Sequence, residues 1–346
     1  MRTWLSAFAI LAVPLVLLAC DARQTASTGQ WQRRASMDEE RSWIGMASVG
    51  GKIYAIGGMT GPQGHRLDLN EVYDPRTNAW HYVAPMPTAR SSPGTVAVGD
   101  QIFAIGGFPA SGATTIVEAY DTRTDVWRTG LAPLPTKRFD MATAVIGSVV
   151  YTIGGYGDKE VSIVEAYDTA ANRWFALPPL PTARYAFQAV VVGGKIWAMG
   201  GRNADGPTDV IEIFDPATQQ WTRGDLQLPE PLAAFGAIVG GGQLHVAKYD
   251  KHFALDLQTN QWLRLPPMLT SRHGLQLATI DSIVYAVGGC MPGDGALFDV
   301  AKNEAYITPA VSPSHPVERD GVGAVLVLMV VMLSAALLLP RLRTQA

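Results

Sequence analysis

The sequence is poor in cysteine and in charged residues. Only two cysteines, Cys20 and Cys290, occur among 346 residues, and charged side chains make up 16% of the chain. Because Cys20 ends a hydrophobic N-terminal segment that we expect to be removed or lipidated, Cys290 has no disulfide partner. The folded domain must then be stabilised by burial of apolar surface. A formal net charge of −3 provides no basic surface for phosphates, so we expect no nucleic-acid partner.

The sequence also lacks the motifs of common enzyme classes. Its six histidines lie in different parts of the chain without the spacing of metal ligands. It contains no nucleophile elbow, phosphate-binding loop or zinc motif. We therefore predict no metal, no cofactor and no assigned catalytic residue.

The N-terminus resembles a secretory signal over residues 1–20. Arg2 precedes an apolar stretch over residues 4–19, which is too short to cross a bilayer comfortably. The stretch ends Leu17-Leu18-Ala19-Cys20, similar to a bacterial lipobox, so Cys20 is a candidate lipidation site. Ordinary signal-peptidase cleavage and retention as an anchor stay open as alternatives.

A second apolar segment lies near the C-terminus. Residues 321–339 carry no charge, and Arg341 and Arg343 follow directly. This pattern predicts a transmembrane helix over 321–340 and a cytoplasmic tail over 341–346. Residues 308–320 are predicted to form an extended Pro/Ser linker. We expect the chain before the helix to lie outside the cytoplasm, periplasmic or on the cell surface, although a tail that is later removed is an alternative.

Between the two ends, the sequence repeats itself. Six tryptophans recur at steps of 49, 47, 47, 47 and 41 residues: Trp31, Trp80, Trp127, Trp174, Trp221 and Trp262. A diglycine closes an apolar run in five units: 57–58, 106–107, 154–155, 200–201 and 288–289. An aromatic-Asp pair follows in the same five, at 73–74, 120–121, 167–168, 214–215 and 298–299. Such a period indicates an array of equal supersecondary units.

Each unit is predicted to contain four antiparallel strands. The first strand ends at a Gly-rich two-residue turn such as Gly50-Gly51, the sharpest local signal of a hairpin. The second strand is apolar on both faces, as in residues 53–56, which is typical of a sheet packed on both sides. The third carries the aromatic-Asp pair, and the fourth begins at the tryptophan.

These residues resemble the kelch-repeat family over residues 31–307. The diglycine after a hydrophobic strand, the Tyr-Asp pair and the spaced tryptophan carry the resemblance, whereas the Trp-Asp dipeptide of WD repeats is absent. The resemblance implies an all-β, six-bladed β-propeller of four-stranded antiparallel blades, with the tryptophans packed between sheets. With the predicted C-terminal transmembrane helix, this is the expected fold.

The first tryptophan has no unit of its own. We predict that residues 31–37 supply the fourth strand of the last blade, beside residues 296–299, because closure by a terminal strand removes exposed edges. Residues 304–307 compete for that position.

The strand order sorts the loops onto two faces. Loops between the second and third strands share one face with the loops that enter the next blade. On this face the units differ: residues 59–70 form a long loop, whereas the loops of units five and six are predicted to be short. Loops on a rigid scaffold commonly bind ligands.

Most units are predicted to place an arginine on this face. In the fifth unit, Pro231 is predicted to occupy the arginine position. Either these arginines bind carboxylate or phosphate groups of a ligand, or they pair with glutamates that recur in the same units. The arginines are Arg41, Arg90, Arg138, Arg184 and Arg272, and the glutamates are Glu71, Glu118, Glu165 and Glu212. The other candidate ligand contacts are Trp43, His65, Arg66, Asp140, Tyr156, Tyr185, Arg202, Lys248 and His273.

Two functions fit this reading. The first is a non-enzymatic module that binds a protein or a carbohydrate outside the membrane. The second is a sugar mutarotase or epimerase of the sialic-acid type, as the resemblance allows, with Asp140 beside Arg138 and Arg184 as the nearest carboxylate–arginine site. Copper radical oxidases share this type of propeller, but Cys290 has no evident His-Tyr setting, so we expect a structural cysteine.

Overall fold

The computed structural model describes residues 29–292 and 297–308. The predicted signal, lipidation site, linker, transmembrane helix and tail lie outside these residues. Among the residues described, no helix has the length and apolar character needed to span a bilayer.

The described chain forms six four-stranded antiparallel sheets, or blades. Blade 1 contains Gly45–Val49, Lys52–Ile56, Asn70–Asp74 and Ala79–Tyr82. Blade 2 contains Gly94–Val98, Gln101–Ile105, Val117–Asp121 and Val126–Arg128. Blade 3 contains Ala142–Ile146, Val149–Ile153, Val164–Asp168 and Arg173–Leu177. Blade 4 contains Gln188–Val192, Lys195–Met199, Val210–Asp215 and Gln220–Gln227. Blade 5 contains Gly236–Gly240, Gln243–Lys248, Lys251–Asp256 and Gln261–Arg264. Blade 6 contains Gln276–Ile280, Ile283–Val287, Asn303–Ile307 and Gln30–Arg33.

The blades form a closed ring. The first strands contact one another in the order of blades 1 to 6, and the first strand of blade 6 contacts that of blade 1. The predicted six-bladed β-propeller of four-stranded antiparallel blades is therefore confirmed.

Three short ribbons lie in loops after the second strands. They pair Met59–Thr60 with His65–Arg66, Arg202–Asn203 with Gly206–Pro207, and Cys290–Pro292 with Leu297–Asp299.

Local sequence explains the strands and turns. Gly50 and Gly51 both have positive φ, +58° and +71°, as a two-residue hairpin turn of the primed type requires. The second strand that follows is almost wholly buried, as its two-sided apolar pattern predicts. Core clusters lie between neighbouring blades: Ile53 and Tyr73 of blade 1 pack with Tyr285 of blade 6.

The tryptophans connect each blade to the one before it. Trp80 lies 5.2 Å from Tyr73 on the adjacent strand, measured between ring centroids, and its Nε1 donates a hydrogen bond of 2.8 Å to the Ala35 carbonyl oxygen. Ala35 follows the closing strand of blade 6. The same indole hydrogen bond recurs in the other five repeat tryptophans. Trp127, Trp174, Trp221, Trp262 and Trp31 donate, in that order, to the carbonyl oxygens of Ala84, Ala132, Pro178, Gln227 and Pro266. This bonding explains the spacing of the tryptophans.

Trp31 closes the last blade, as predicted, but beside a different strand. Gln30–Arg33 pairs with Asn303–Ile307, so that Trp31 faces Tyr306 as Trp80 faces Tyr73. The prediction that residues 296–299 form the third strand is wrong. Phe298-Asp299 copies the aromatic-Asp motif but belongs to a ribbon with Cys290–Pro292.

The predicted loop lengths are half correct. In blade 5 the second and third strands are joined by Tyr249 and Asp250 alone, as expected. In blade 6 the third strand begins at Asn303, so its loop is long and the expected shortening is wrong. Among the described residues, blade 5 is therefore the one blade with a short loop between its second and third strands.

Two histidines are buried beside the closing strand. His245 Nδ1 lies 3.1 Å from His252 Nε2, and both side chains are at most 1% exposed. The Tyr306 and His252 rings meet edge to face with their centroids 4.6 Å apart. The Trp31 and His252 ring centroids are 5.1 Å apart. Burial lowers the pKa of His245 to about 4. Burial and the neighbouring His245 lower the pKa of His252 to about 3. Both imidazoles are therefore neutral in the folded protein above these values.

This pair predicts an acid-sensitive fold. Below an unfolded pKa of about 6.5, the unfolded chain binds protons that the folded chain does not, so stability falls as pH drops. Between pH 7.5 and 5 we expect a loss of about 2 kcal/mol per imidazole. The double variant His245→Phe/His252→Val uses the residues found at equivalent positions in blade 2, Phe103 and Val117. Urea unfolding across this pH range should show a smaller acid loss in the variant, and an equal loss in both proteins would contradict the assignment.

Candidate functional site

Loops on one face of the propeller bring together the candidate residues. Backbone bridges join the loop entering a blade to the loop after its second strand: Ser42 with Met59, Ser91 with Phe108, Phe139 with Tyr156, Tyr185 with Arg202, and His273 with Cys290. We call this surface the rim face. The sorting of loops predicted from strand order is observed.

The five repeated arginines lie beneath this face in buried ion pairs. All five side chains are 0% exposed. The Arg90 Nη1 lies 2.6 Å from the Glu118 Oε2, and the Arg272 Nη1 lies 3.1 Å from the Glu304 Oε1. The other pairs are Arg41–Glu71, Arg138–Glu165 and Arg184–Glu212. Burial lowers the pKa of each arginine, and its glutamate opposes that effect.

Each arginine also joins two blades through the backbone. The Arg90 guanidinium donates to the Ala104 carbonyl oxygen of blade 2 at 3.1 Å, while its own carbonyl oxygen accepts from the Gly58 amide of blade 1 at 3.0 Å. A Cβ on Gly57 would lie 2.5 Å from that Arg90 oxygen, too close for any other residue. The repeated diglycine and arginine therefore form one inter-blade contact.

The geometry supports pairing rather than ligand binding for these arginines. Their guanidinium groups are not exposed on the rim face, and Arg138 and Arg184 are both held by glutamates rather than by Asp140. Among the described residues, Arg138 and Arg184 therefore do not form with Asp140 the arginine–carboxylate site that the mutarotase alternative predicts.

Blade 5 departs from this arrangement. The Gly201 amide donates to the Leu232 carbonyl oxygen, so Leu232, not Pro231 as predicted, occupies the arginine position. Phe253, paired with Val246, occupies the glutamate position. Both members of the pair are thus replaced together by apolar residues.

A ring of six residues surrounds the mouth of the central channel. Each lies two positions after the arginine site and has φ between +50° and +61°: Trp43, Ser92, Asp140, Ala186, Ala234 and Gly274. Five of the six backbone links around this ring are hydrogen bonds of 2.8–3.1 Å, and the link from Asp140 to Ser92 is the exception. These residues line a cavity of about 190 Å³. Below it, apolar side chains such as Val145 and Val191 line a second cavity of about 380 Å³.

Asp140 is the one charged side chain among the described residues that line the mouth cavity. Burial raises the pKa of its carboxyl to about 6, and an interaction with the Ser92 side chain opposes that shift. Trp43 lines the same cavity, together with the amides of Gln188 and Gln276. Neither amide was predicted from the sequence, but their register after the ring residues could have identified them.

Four half-buried aromatic side chains form a continuous arc on the rim face of blades 2–4. Ring centroids are 4.6 Å apart for Phe108 and Phe139, 5.6 Å for Phe139 and Tyr156, and 4.9 Å for Tyr156 and Tyr185. We call these four residues the aromatic arc. Tyr156 and Tyr185 were among the predicted contacts, whereas Phe108 and Phe139 were not.

Two arginines lie at the ends of the aromatic arc. The Arg66 guanidinium stands 5.1 Å from the Phe108 ring centroid and donates to the Phe108 carbonyl oxygen at 3.0 Å. At the other end, exposed Arg202 pairs with Tyr185 through the backbone. His65, adjacent to Arg66, is exposed and turned to solvent. Predicted residues from three blades are thus brought together here.

The remaining predicted residues cluster at blades 5 and 6. Lys248 lies 4.9 Å from the Tyr249 ring centroid, and Tyr249 lies 5.2 Å from His273. The Cys290 sulfur is 3.5 Å from the His273 Nε2, so Cys290 does have a histidine and a tyrosine nearby, contrary to the expectation. Burial raises the pKa of this thiol to about 11 and lowers that of His273. A neutral, buried thiol fits a structural role.

Comparison with known sequences identifies the repeats. A family model described as the KLHDC2/KLHL20/DRC7 Kelch-repeats domain matches residues 132–289. A second, described as Kelch motif, matches residues 41–87 and 89–130. Kelch-like ECH-associated protein 1A of Danio rerio is 35% identical over 91 residues, which are 23% of this chain and 15% of that protein. The similarity thus covers a small part of that relative.

Proposed function

The chain is a kelch-repeat β-propeller, and we propose that it is a protein-binding module whose partner contacts the aromatic arc. Kelch propellers typically bind proteins, and the Danio rerio relative is named as an ECH-associated protein. The observation that carries the proposal is the continuous contact of Phe108, Phe139, Tyr156 and Tyr185 on the rim face.

The composition of this surface supports the proposal. Aromatic residues and arginine are enriched at protein interfaces and supply most hot spots. Here the aromatic rings are already packed against one another, so little side-chain freedom remains to be lost on binding. The Arg66 guanidinium lies over Phe108 at one end of the arc, and exposed Arg202 is bridged through its backbone to Tyr185 at the other, which favours a partner with acidic groups beside an apolar centre.

Crosslinking in cells tests this proposal. A photo-crosslinking amino acid at Tyr156 of the full chain should capture a discrete protein partner. The matched control is Tyr82, a 54% exposed tyrosine on the outer strand of blade 1. With the captured protein purified, Tyr156→Ala should weaken binding about 30-fold, as for a hot-spot residue, while Tyr82→Ala changes it less than about twofold.

Three outcomes would contradict the proposal. Equal capture from positions 156 and 82, or unchanged affinity after Tyr156→Ala, would remove the aromatic arc as the binding surface. Saturable carbohydrate binding on a glycan array, lost with the same substitution, would assign a glycan instead of a protein.

We further propose that the propeller lies outside the cytoplasm, anchored by the predicted helix over residues 321–340. The support is the agreement of the two sequence patterns at residues 1–20 and 321–346, which imply the same orientation. Alkaline phosphatase fused after Thr308 should be active in a bacterial host, and the same enzyme fused after Ala346 should be inactive. The reverse activities, or two inactive fusions at equal expression, would contradict this orientation.

A further inference from the structure

The channel mouth presents a carboxylate without a cationic partner. Asp140 is the one charged side chain among the described residues that line the mouth cavity, and no ion pair involving it is formed. The nearest repeated arginines, Arg138 and Arg184, are held by Glu165 and Glu212. In a partly enclosed site, such a charge is poorly compensated.

An aromatic ring lies on the opposite side of the mouth. The Trp43 indole packs against Gly274, where an added Cβ would be 3.3 Å from an indole carbon. Gly274 lies in the loop that leads into the first strand of blade 6, and Asp140 lies in the loop that leads into the first strand of blade 3. In a ring of six blades Gly274 and Asp140 are three blades apart, so the indole packed on Gly274 lies on the side of the cavity opposite the Asp140 residue.

The rest of the cavity wall is neutral. Gln188 and Gln276 contribute amides, Thr95 and Thr143 contribute hydroxyl groups, and the cavity measures about 190 Å³. A dry cavity of about 150 Å³ holds benzene in another protein, so the ligand here is limited to about ten non-hydrogen atoms.

We propose that the channel mouth binds a small organic ammonium ion, with its charged nitrogen at Asp140 and its apolar body against Trp43. Carboxylates accept charge-assisted hydrogen bonds from ammonium groups, and indole faces attract organic cations. One carboxylate is too few ligands for a bare Mg²⁺ or Ca²⁺ ion. This site is separate from the aromatic arc and does not depend on the partner proposed there.

Calorimetric titration of the full chain with benzylammonium tests the site. We expect saturable binding, weaker by about 10- to 100-fold in Asp140→Asn. Asparagine is suitable because it tolerates the left-handed backbone of this position, φ +50°. The matched control is Asp158→Asn, an exposed carboxylate in a rim loop of the same blade, which should leave affinity unchanged. Benzyl alcohol, the neutral analogue of the probe, should bind at least about tenfold more weakly than benzylammonium.

The pH dependence provides a second readout. With a carboxyl pKa of about 6, the anion is about a tenth populated at pH 5, so affinity should fall about tenfold from pH 7.5. Ser92 and Ala186 flank Asp140, and Arg138 and Arg184 lie in ion pairs with Glu165 and Glu212. The other titratable groups of the rim face are Tyr156 and Tyr185 at blades 3 and 4 and Lys248, Tyr249 and His273 at blades 5 and 6. Asp140→Asn should abolish the dependence. Absence of saturable binding, equal affinity in wild type and Asp140→Asn, or full pH dependence in that variant would overturn the proposal.

Discussion

The buried arginine–glutamate pairs are the interaction on which the rest of the structure depends. A guanidinium taken out of water is costly unless its hydrogen-bond donors are satisfied. Here the two terminal nitrogens of each guanidinium pair with one glutamate and donate to backbone carbonyl oxygens, as for Arg90 with Glu118, Ala104 and Thr88, whereas the Nε has no partner among the described residues. Because the Arg90 carbonyl oxygen also accepts from Gly58 of the preceding blade, the register of one blade is fixed to the next. The ring residue two positions later is thereby placed at the channel mouth.

Blade 5 shows what happens when this pair is absent. Leu232 and Phe253 replace both charged partners, the diglycine becomes Ala247-Lys248, and the loop shortens to Tyr249 and Asp250. Replacing both members avoids an unpaired buried charge. Blade 5 also has the short loop after its second strand, Tyr249 and Asp250 alone, next to the aromatic arc of blades 2–4. Variation in the loops thus makes one side of the ring distinct, and this is the side that we propose binds a partner.

Much of this architecture could be predicted because it repeats. The repeat units and the kelch resemblance predicted six blades, and the recurrence of glutamates with arginines indicated their pairing. The wrong predictions lie where the repeat is interrupted. Phe298-Asp299 matches the aromatic-Asp motif but lies outside the third strand of blade 6, whereas the observed third strand has Tyr306 without a following aspartate. The mouth cavity and the aromatic arc were only partly predicted, since Asp140 and Trp43, or Phe108 and Tyr185, are far apart in sequence and meet only when the ring closes.

The central claim is that each buried arginine–glutamate pair is a coupled unit that holds the loop before a blade against that blade's own strands. A double-mutant cycle in urea on Arg90→Leu and Glu118→Phe, the residues used by blade 5, tests it most directly. Each single substitution leaves a buried charge unpaired and should cost about 3–5 kcal/mol. The double variant should recover to within about 1–2 kcal/mol of the natural protein. If the two single losses simply add, the pair is not coupled and the account is contradicted.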